Sequence, residues 1–332
     1  MEYRILGQSE LKVPTVIFGA WAVGGWFWGP QEDAESIRAI RAALDAGINC
    51  IDTAPIYGMG HSEEVVGKAI QGRRDKVILA TKCGLRWDTP GEGSNPWTYQ
   101  GLDGTECTVV RNLHKHAVIA EVEQSLQRLG TDVIDLYQCH WPDPSTPLAE
   151  TMEALVTLKQ QGKIRAIGVS NFTPEMTAEC LQHGPLASDQ PPYSLLRRDI
   201  EADVLPFCRE QGVGVIVYSP LQQGLLTGKV TMDRAFAEGD YRGGQSWFQP
   251  ANRRRVLDAL EKMKPIAAAH KATLGQVTIA WTIAQPGVTA AIVGARTPEQ
   301  ARENARAADI QLSAAEVQTI RKLFEDLGKP LT

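Results

Sequence analysis

Four side chains stand where a proton could be delivered to a carbonyl oxygen. Asp52 closes an apolar run in Ile51-Asp52-Thr53-Ala54, and Tyr57 follows shortly after it. Lys82 closes a second run in Ala80-Thr81-Lys82. His140 closes a third in Leu136-Tyr137-Gln138-Cys139-His140-Trp141-Pro142. A free phenol has a pKa of about 10 and is a reluctant acid at neutral pH. An ammonium within about 4 Å stabilises a phenolate by roughly 4 kcal/mol at an effective dielectric of about 20. At about 1.4 kcal/mol per unit, that lowers the phenol by up to about three units, less what desolvation takes back. The aspartate would keep the ammonium charged and in place, and the imidazole would hydrogen-bond the substrate oxygen or help relay the proton. A general acid of this kind contributes about 10²–10⁴ in rate. Taken singly, each residue has an ordinary reading as a cap, a solvated charge, a rim phenol or a hydrogen-bonded core histidine. Their recurrence at the ends of successive apolar runs favours chemistry.

The runs themselves number eight: Thr15–Trp21, Ile48–Thr53, Val77–Lys82, Val133–His140, Ile164–Ser170, Ala187–Pro191, Gly214–Ser219 and Thr289–Gly294. Most are nearly continuous and rich in Val and Ile, as strands covered on both faces are. Between them the apolar positions follow helical spacing: Ile37, Ile40 and Leu44, then Ile119, Val122, Leu126 and Leu129, then Leu155 and Leu158 with Gly162 as a stop. Thr173-Pro174 and Thr297-Pro298 read as N-caps with Pro at the first helical position. Alternating strand and helix implies parallel pairing through right-handed crossovers. An open dinucleotide-binding sheet would want Gly-x-Gly-x-x-Gly after its first strand. Ala22–Phe27 does not supply it, and Gly58-x-Gly60-x-x-Glu63 fails at its third position. The expectation is therefore a single (β/α)8 TIM barrel, an α/β fold, spanning residues 1–332 as one domain. Met1–Val13 reads as an N-terminal hairpin capping the barrel bottom. Gly84–His114 and Thr227–Asn252 read as long loops on the C-terminal face, where barrel active sites lie.

Composition narrows the function classes. The chain has 332 residues and a formal net charge of -5, which excludes a strong positive field for nucleic acid or anionic membrane. No charge-free apolar stretch is long enough to predict a membrane span, and Met1-Glu2-Tyr3-Arg4 does not open a signal peptide. Cys50, Cys83, Cys107, Cys139, Cys180 and Cys208 are scattered, so reduced thiols and a cytoplasmic location are expected. His114-x-His116 lacks further ligands at metal spacing, and no metal is expected. Arg253-Arg254-Arg255 reads as a solvated helix start. Trp21, Trp28, Trp87, Trp141 and Trp247 fall at strand ends or in the long loops and read as a substrate pocket for an apolar or aromatic carbonyl.

The string Asp52-Thr53-Ala54-x-x-Tyr57-Gly58, then Thr81-Lys82, then Asp135-Leu136-Tyr137-x-x-His140-Trp141-Pro142 resembles the aldo-keto reductase superfamily. Gly162-Lys163-Ile164-Arg165-x-Ile167-Gly168-Val169-Ser170-Asn171-Phe172, Tyr218-Ser219-Pro220-Leu221, Gly294-Ala295-Arg296-Thr297 and Glu303-Asn304 continue the resemblance in family order. It implies a barrel that binds a nicotinamide cofactor and reduces aldehydes or ketones to alcohols. By resemblance, Tyr57 matches the proton donor, Lys82 and Asp52 its supporting ion pair, and His140 the orienting imidazole. Ser170, Asn171 and Gln190 match the residues that hold the nicotinamide carboxamide, and Tyr218 the ring stacked on its face. Ser219, Leu221, Gln222 and Gly224 match the loop over the pyrophosphate. Gly294, Arg296, Gln300, Glu303 and Asn304 match the adenosine site. Arg296 offers a planar fork for a 2'-phosphate, so NADP(H) is expected over NAD(H), although many relatives carry a cation where this chain has Gly294 and Gln300. Two other readings compete. Potassium-channel β subunits share the fold and cofactor site, so a nucleotide-binding regulatory subunit is one. A lyase using Lys82 as a Schiff base is the other, and it leaves Tyr218 and Gly294–Asn304 without a role. The physiological substrate and oligomeric state have no signature in the chain.

Overall fold

Each of the eight apolar runs forms one strand of a closed parallel barrel. The strands are β1 (Val16–Gly19), β2 (Cys50–Asp52), β3 (Ile78–Cys83), β4 (Ile134–Cys139), β5 (Ile164–Ser170), β6 (Ser188–Gln190), β7 (Gly214–Tyr218) and β8 (Val288–Gly294). They close in chain order, β8 pairing with β1 through Ala291↔Val16 to Gly294↔Gly19. The computed structural model describes residues 1–25, 28, 31–89, 91–100, 106–236 and 240–331. Trp26 and Phe27, part of the failed glycine motif, and the gaps within the two long C-terminal-face segments lie outside the described residues.

Strand side chains alternate between the barrel interior and the helix-facing layer. Ile17, Cys50, Ala80, Leu136, Ala166 and Ile216 fill the interior. The opposite faces pack against the helices in one continuous core. Those helices are α1 (Asp33–Asp45), α2 (His61–Ile70), α3 (Lys115–Leu129), α4 (Leu148–Gln160), α5 (Pro174–His183), α6 (Val204–Gln211), α7 (Pro250–Ala269), α8 (Leu274–Ile283), α9 (Pro298–Arg306) and α10 (Ala314–Glu325). Thr173 caps α5 by accepting from the Met176 N–H, and Thr297 caps α9 by accepting from the Gln300 N–H. The N-terminal hairpin pairs Tyr3–Ile5 with Lys12–Pro14. Its Leu6, Leu11 and Val13 enter the same apolar cluster as the barrel interior, so it plugs the bottom.

Two expectations are corrected. Gly84–His114 is not an irregular loop: Leu85–Arg86, Ser94–Gln100 and Glu106–Arg111 form a three-stranded antiparallel sheet. Gly91 and Gly93 precede its second strand, while Trp97, Tyr99, Val109 and Val110 supply the β-branched and aromatic residues that pair across it. The Arg253–Arg255 run is a solvated start only at Arg254, which is exposed. Arg253 is buried and donates to the carbonyls of Phe248 at 2.8 Å and Arg234 at 2.9 Å, tying the Thr227–Asn252 segment to α7.

Candidate active site

The C-terminal ends of the strands bring the expected tetrad together. Lys82 is completely buried, and its Nζ donates to Asp52 Oδ1 at 2.6 Å and to the Thr53 carbonyl at 2.9 Å. The same nitrogen lies 3.5 Å from Tyr57 Oη. The His140 ring stands edge-on to the Tyr57 ring, with centroids 5.8 Å apart. The Gln138 and Gln190 amides donate to Asp52 Oδ2 at 3.2 and 2.9 Å. Asp52 is therefore satisfied on both oxygens and holds Lys82 from below.

The backbone that carries Tyr57 depends on two glycines. A Cβ on Gly24 would lie 2.6 Å from the Tyr57 carbonyl, and one on Gly58 would lie 2.5 Å from the Gly24 carbonyl oxygen. Gly58 also has a φ of +67°, a value that costs glycine nothing. Ser62 completes the attachment. Its hydroxyl donates to the Ala20 carbonyl at 3.0 Å and lies 2.9 Å from Thr53 Oγ1.

Burial controls the charge states. Burial, reinforced by the Asp52 carboxylate, pushes the Tyr57 phenol well above its ordinary value. The expected depression by Lys82 is thus reversed. Lys82 is shared with Asp52 at 2.6 Å, so the attraction left for a phenolate is smaller than the cost of burying it. Burial also lowers Lys82, offset by Asp52. His140 is held well below its ordinary value by burial and then by Lys82, so its imidazole is neutral.

Above this floor runs a cleft of about 660 Å³. Ser170, Asn171, Gln190 and Tyr218 stand together on one wall. Ser170 Oγ donates to the Gln190 carbonyl at 2.7 Å, Asn171 Nδ2 to the His140 carbonyl at 3.0 Å, and Tyr218 Oη to Asn171 Oδ1 at 2.9 Å. Asn171, Ser219, Gln222 and Gln223 have φ between 45° and 62°. Left-handed backbone at non-glycine residues is costly and gathers where function fixes it.

Ser219, Leu221 and Gly224 line the cleft, but Gln222 does not. Gln222 turns away and accepts from Ser194 Oγ at 2.9 Å, and its neighbour Gln223 takes the cleft position. At the far end lie Gly294, Arg296, Gln300, Glu303 and Asn304. Arg296 pairs with the Gln31 side chain, its backbone N–H donates to Gln300 Oε1 at 2.8 Å, and Asn304 Nδ2 donates to the Gly294 carbonyl at 3.1 Å.

Of the five tryptophans, Trp21, Trp28 and Trp141 line the cleft. Trp247 does not. It is 8 % exposed in the apolar core, on a short turn before α7. Trp87 packs at the edge of an apolar cluster beside the cleft without lining it. Trp97, Leu85, Lys229 and Arg234 line the cleft and escaped sequence reasoning because they lie in segments read as loops, where no period fixes a facing. Gln138 could have been found: it is two residues before His140 and shares its face of the strand.

A closed parallel barrel with polar groups gathered at its C-terminal strand ends defines the class of barrel enzymes. The family model for the aldo/keto reductase family matches residues 15–325, and the chain belongs to that family. It is 40 % identical over 330 residues to the NADH-specific methylglyoxal reductase of Escherichia coli (strain K12), covering 98 % of each chain. It is 32 % identical over 330 residues to a probable voltage-gated potassium channel subunit beta of Arabidopsis thaliana, covering 93 % of this chain and 92 % of that one. The solved structure of the glycerol dehydrogenase AKR11B4 from Gluconobacter oxydans matches with a TM-score of 0.87 at 37 % identity, over 99 % of this chain and 97 % of that one. Family and neighbours together support an oxidoreductase acting on small molecules. Among the described residues, no helix is long and apolar enough to cross a membrane.

Proposed function

We propose that this chain is an NADP(H)-dependent carbonyl reductase in which Tyr57 protonates the substrate oxygen. The observation that carries the reading is the buried Asp52–Lys82 pair reaching a half-buried Tyr57, beside a neutral His140, on the floor of a cleft large enough for a dinucleotide and a small carbonyl. Because the phenol is raised rather than lowered, Tyr57 enters the reaction as the protonated acid. Lys82 Nζ stands 3.5 Å from the phenolic oxygen, where it stabilises the negative charge left once the proton has gone. The neutral imidazole of His140 orients the substrate oxygen toward Tyr57, while Trp21, Trp28 and Trp141 exclude water from the floor.

The residues present fit a nicotinamide dinucleotide. Ser170, Asn171 and Gln190 offer hydroxyl and amide groups matched to a carboxamide, and Tyr218 offers a flat face. Gln223 Oε1 is buried without a protein donor. Gly224, with a φ of +92° and nothing within 4 Å of a built Cβ, leaves open space for a phosphate. When bound, the reduced cofactor supplies a hydride to the carbonyl carbon. Arg296 and Arg234 line the cleft and support the phosphorylated cofactor over NAD(H), while Lys229 is held by Glu303 at 2.9 Å. Six free thiols suit a cytoplasmic location.

The test is a carbonyl panel with purified protein, NADPH and NADH side by side, following loss of the reduced nicotinamide band. Faster turnover with NADPH is expected. Turnover with NADH alone, as the E. coli relative's name states for that protein, would reverse the cofactor assignment. Cofactor binding without consumption would favour a regulatory subunit, the reading that the plant channel-subunit relative supports.

A further inference from the structure

Between Gly84 and the start of α3 the chain builds its three-stranded sheet, and Leu85 and Trp97 of that sheet line the cleft together with Trp141. Trp97 stands directly after a bulge. Ser94 pairs with Arg111 and Trp97 with Val109, so one extra residue is inserted. Asn95 within that insertion has a φ of 48°. A bulge re-aims a side chain away from the sheet's plain alternation. Here Trp97 joins an apolar cluster containing Ile56, Tyr57, Leu85, Val109 and Trp141.

One buried carboxylate fastens this sheet to the loop that carries His140. Asp143 is 2 % exposed. It accepts from Ser94 Oγ at 2.6 Å, Ser145 Oγ at 2.6 Å and Thr146 Oγ1 at 2.7 Å, and from the N–H groups of Ser145 at 3.0 Å and Leu113 at 3.1 Å. Burial alone would raise its pKa, but the donors from Ser145, Ser94, Thr146 and Leu113 outweigh that and hold the carboxyl below its ordinary value. Ser94 opens one strand of the sheet and Leu113 follows another, so both roots meet at one charged group. Arg111 adds a second tie, donating to the Pro142 carbonyl at 3.2 Å and lying 4.9 Å above the Trp141 ring.

We propose that Trp97 is a specificity-determining residue that selects carbonyl substrates with a flat apolar body, and that Asp143 is the positioning residue that holds its sheet over the catalytic floor. The proposal rests on the carbonyl-reductase reading and extends it to substrate class. Its test compares wild type, Trp97→Ala and Asp143→Asn with NADPH on benzaldehyde and on acetaldehyde. Hydrogen exchange is followed in the same full-length proteins. In Trp97→Ala, kcat/KM for benzaldehyde relative to acetaldehyde falls about tenfold, through KM rather than kcat. In Asp143→Asn the same ratio falls at least about threefold, and amides of segment 106–113 exchange faster while those of the barrel strands do not. Should Asp143→Asn fail to fold, Ser94→Ala removes one donor and is read in the same way. Equal losses on both aldehydes, or an unaltered ratio in Trp97→Ala, would overturn the role of Trp97. Unaltered exchange in segment 106–113 would overturn that of Asp143. If wild type reduces neither aldehyde, it is the carbonyl-reductase reading that fails, and the exchange comparison still decides whether Asp143 fastens the sheet.

Discussion

Tyr57 and Lys82 meet at 3.5 Å, yet the ammonium is already committed to Asp52 at 2.6 Å. Phenol acidity in the resting site is therefore decided by desolvation, which raises it. The sign of the pH dependence follows. A raised phenol keeps its proton to higher pH, and a depressed His140 stays neutral to lower pH. Turnover in the reducing direction is expected to stay flat between about pH 6 and about pH 9, with no break at the ordinary histidine value near about 6.5. A kcat profile with a histidine-like acid limb in that window would contradict the neutral imidazole. Asp52, Lys82 and His140 were legible in sequence because each closes an apolar run, and Tyr57 because it follows shortly after Asp52. The direction of the Tyr57 shift was not, because spacing along the chain gives no depth of burial and no Asp52–Lys82 distance.

At the scale of elements, the turn Trp21–Gly24 and the loop that carries Tyr57 touch backbone to backbone. Gly24→Ala would push a methyl group against the Tyr57 carbonyl, and a misplacement of this kind costs up to about 10²-fold in turnover. Steady-state kinetics check it, and kcat within about twofold of wild type would mean the loop has room to shift. On the other side of β6, Asp189 is fully buried with neither carboxylate oxygen in a full hydrogen bond. Burial lifts its pKa from 3.8 to about 8, against partial offset from the Gln190 and Phe172 backbone amides. The folded value lies above the unfolded one, so this group's contribution is fully present below 3.8 and is lost as pH rises to about 8. Thermal melts of Asp189→Asn should accordingly gain on wild type as pH rises through that window, and a difference independent of pH would contradict the assignment. The barrel strands and their order followed from continuous apolar runs and helical spacing. The three-stranded sheet did not, because its signal is spread over short alternating pieces between glycines and prolines.

Across the whole molecule, the two ends of the barrel divide the work. The N-terminal hairpin closes the bottom with Leu6, which is fully buried, while the chemistry gathers at the top. Leu6→Ala is expected to cost about 2–5 kcal/mol in urea unfolding with little effect on turnover. A loss under about 1 kcal/mol would show that the plug carries little of the stability. Against a net charge of -5 for the whole chain, Arg296 and Arg234 line one cleft, where Lys229 is paired with Glu303 at 2.9 Å. The most direct measurement of the central claim is single-turnover oxidation of bound NADPH by an activated aldehyde in Tyr57→Phe beside wild type. Cofactor affinity is read in parallel by fluorescence titration. We expect affinity to hold within about threefold and the rate to fall at least about a hundredfold. A rate within a few-fold of wild type would show that the proton comes from elsewhere.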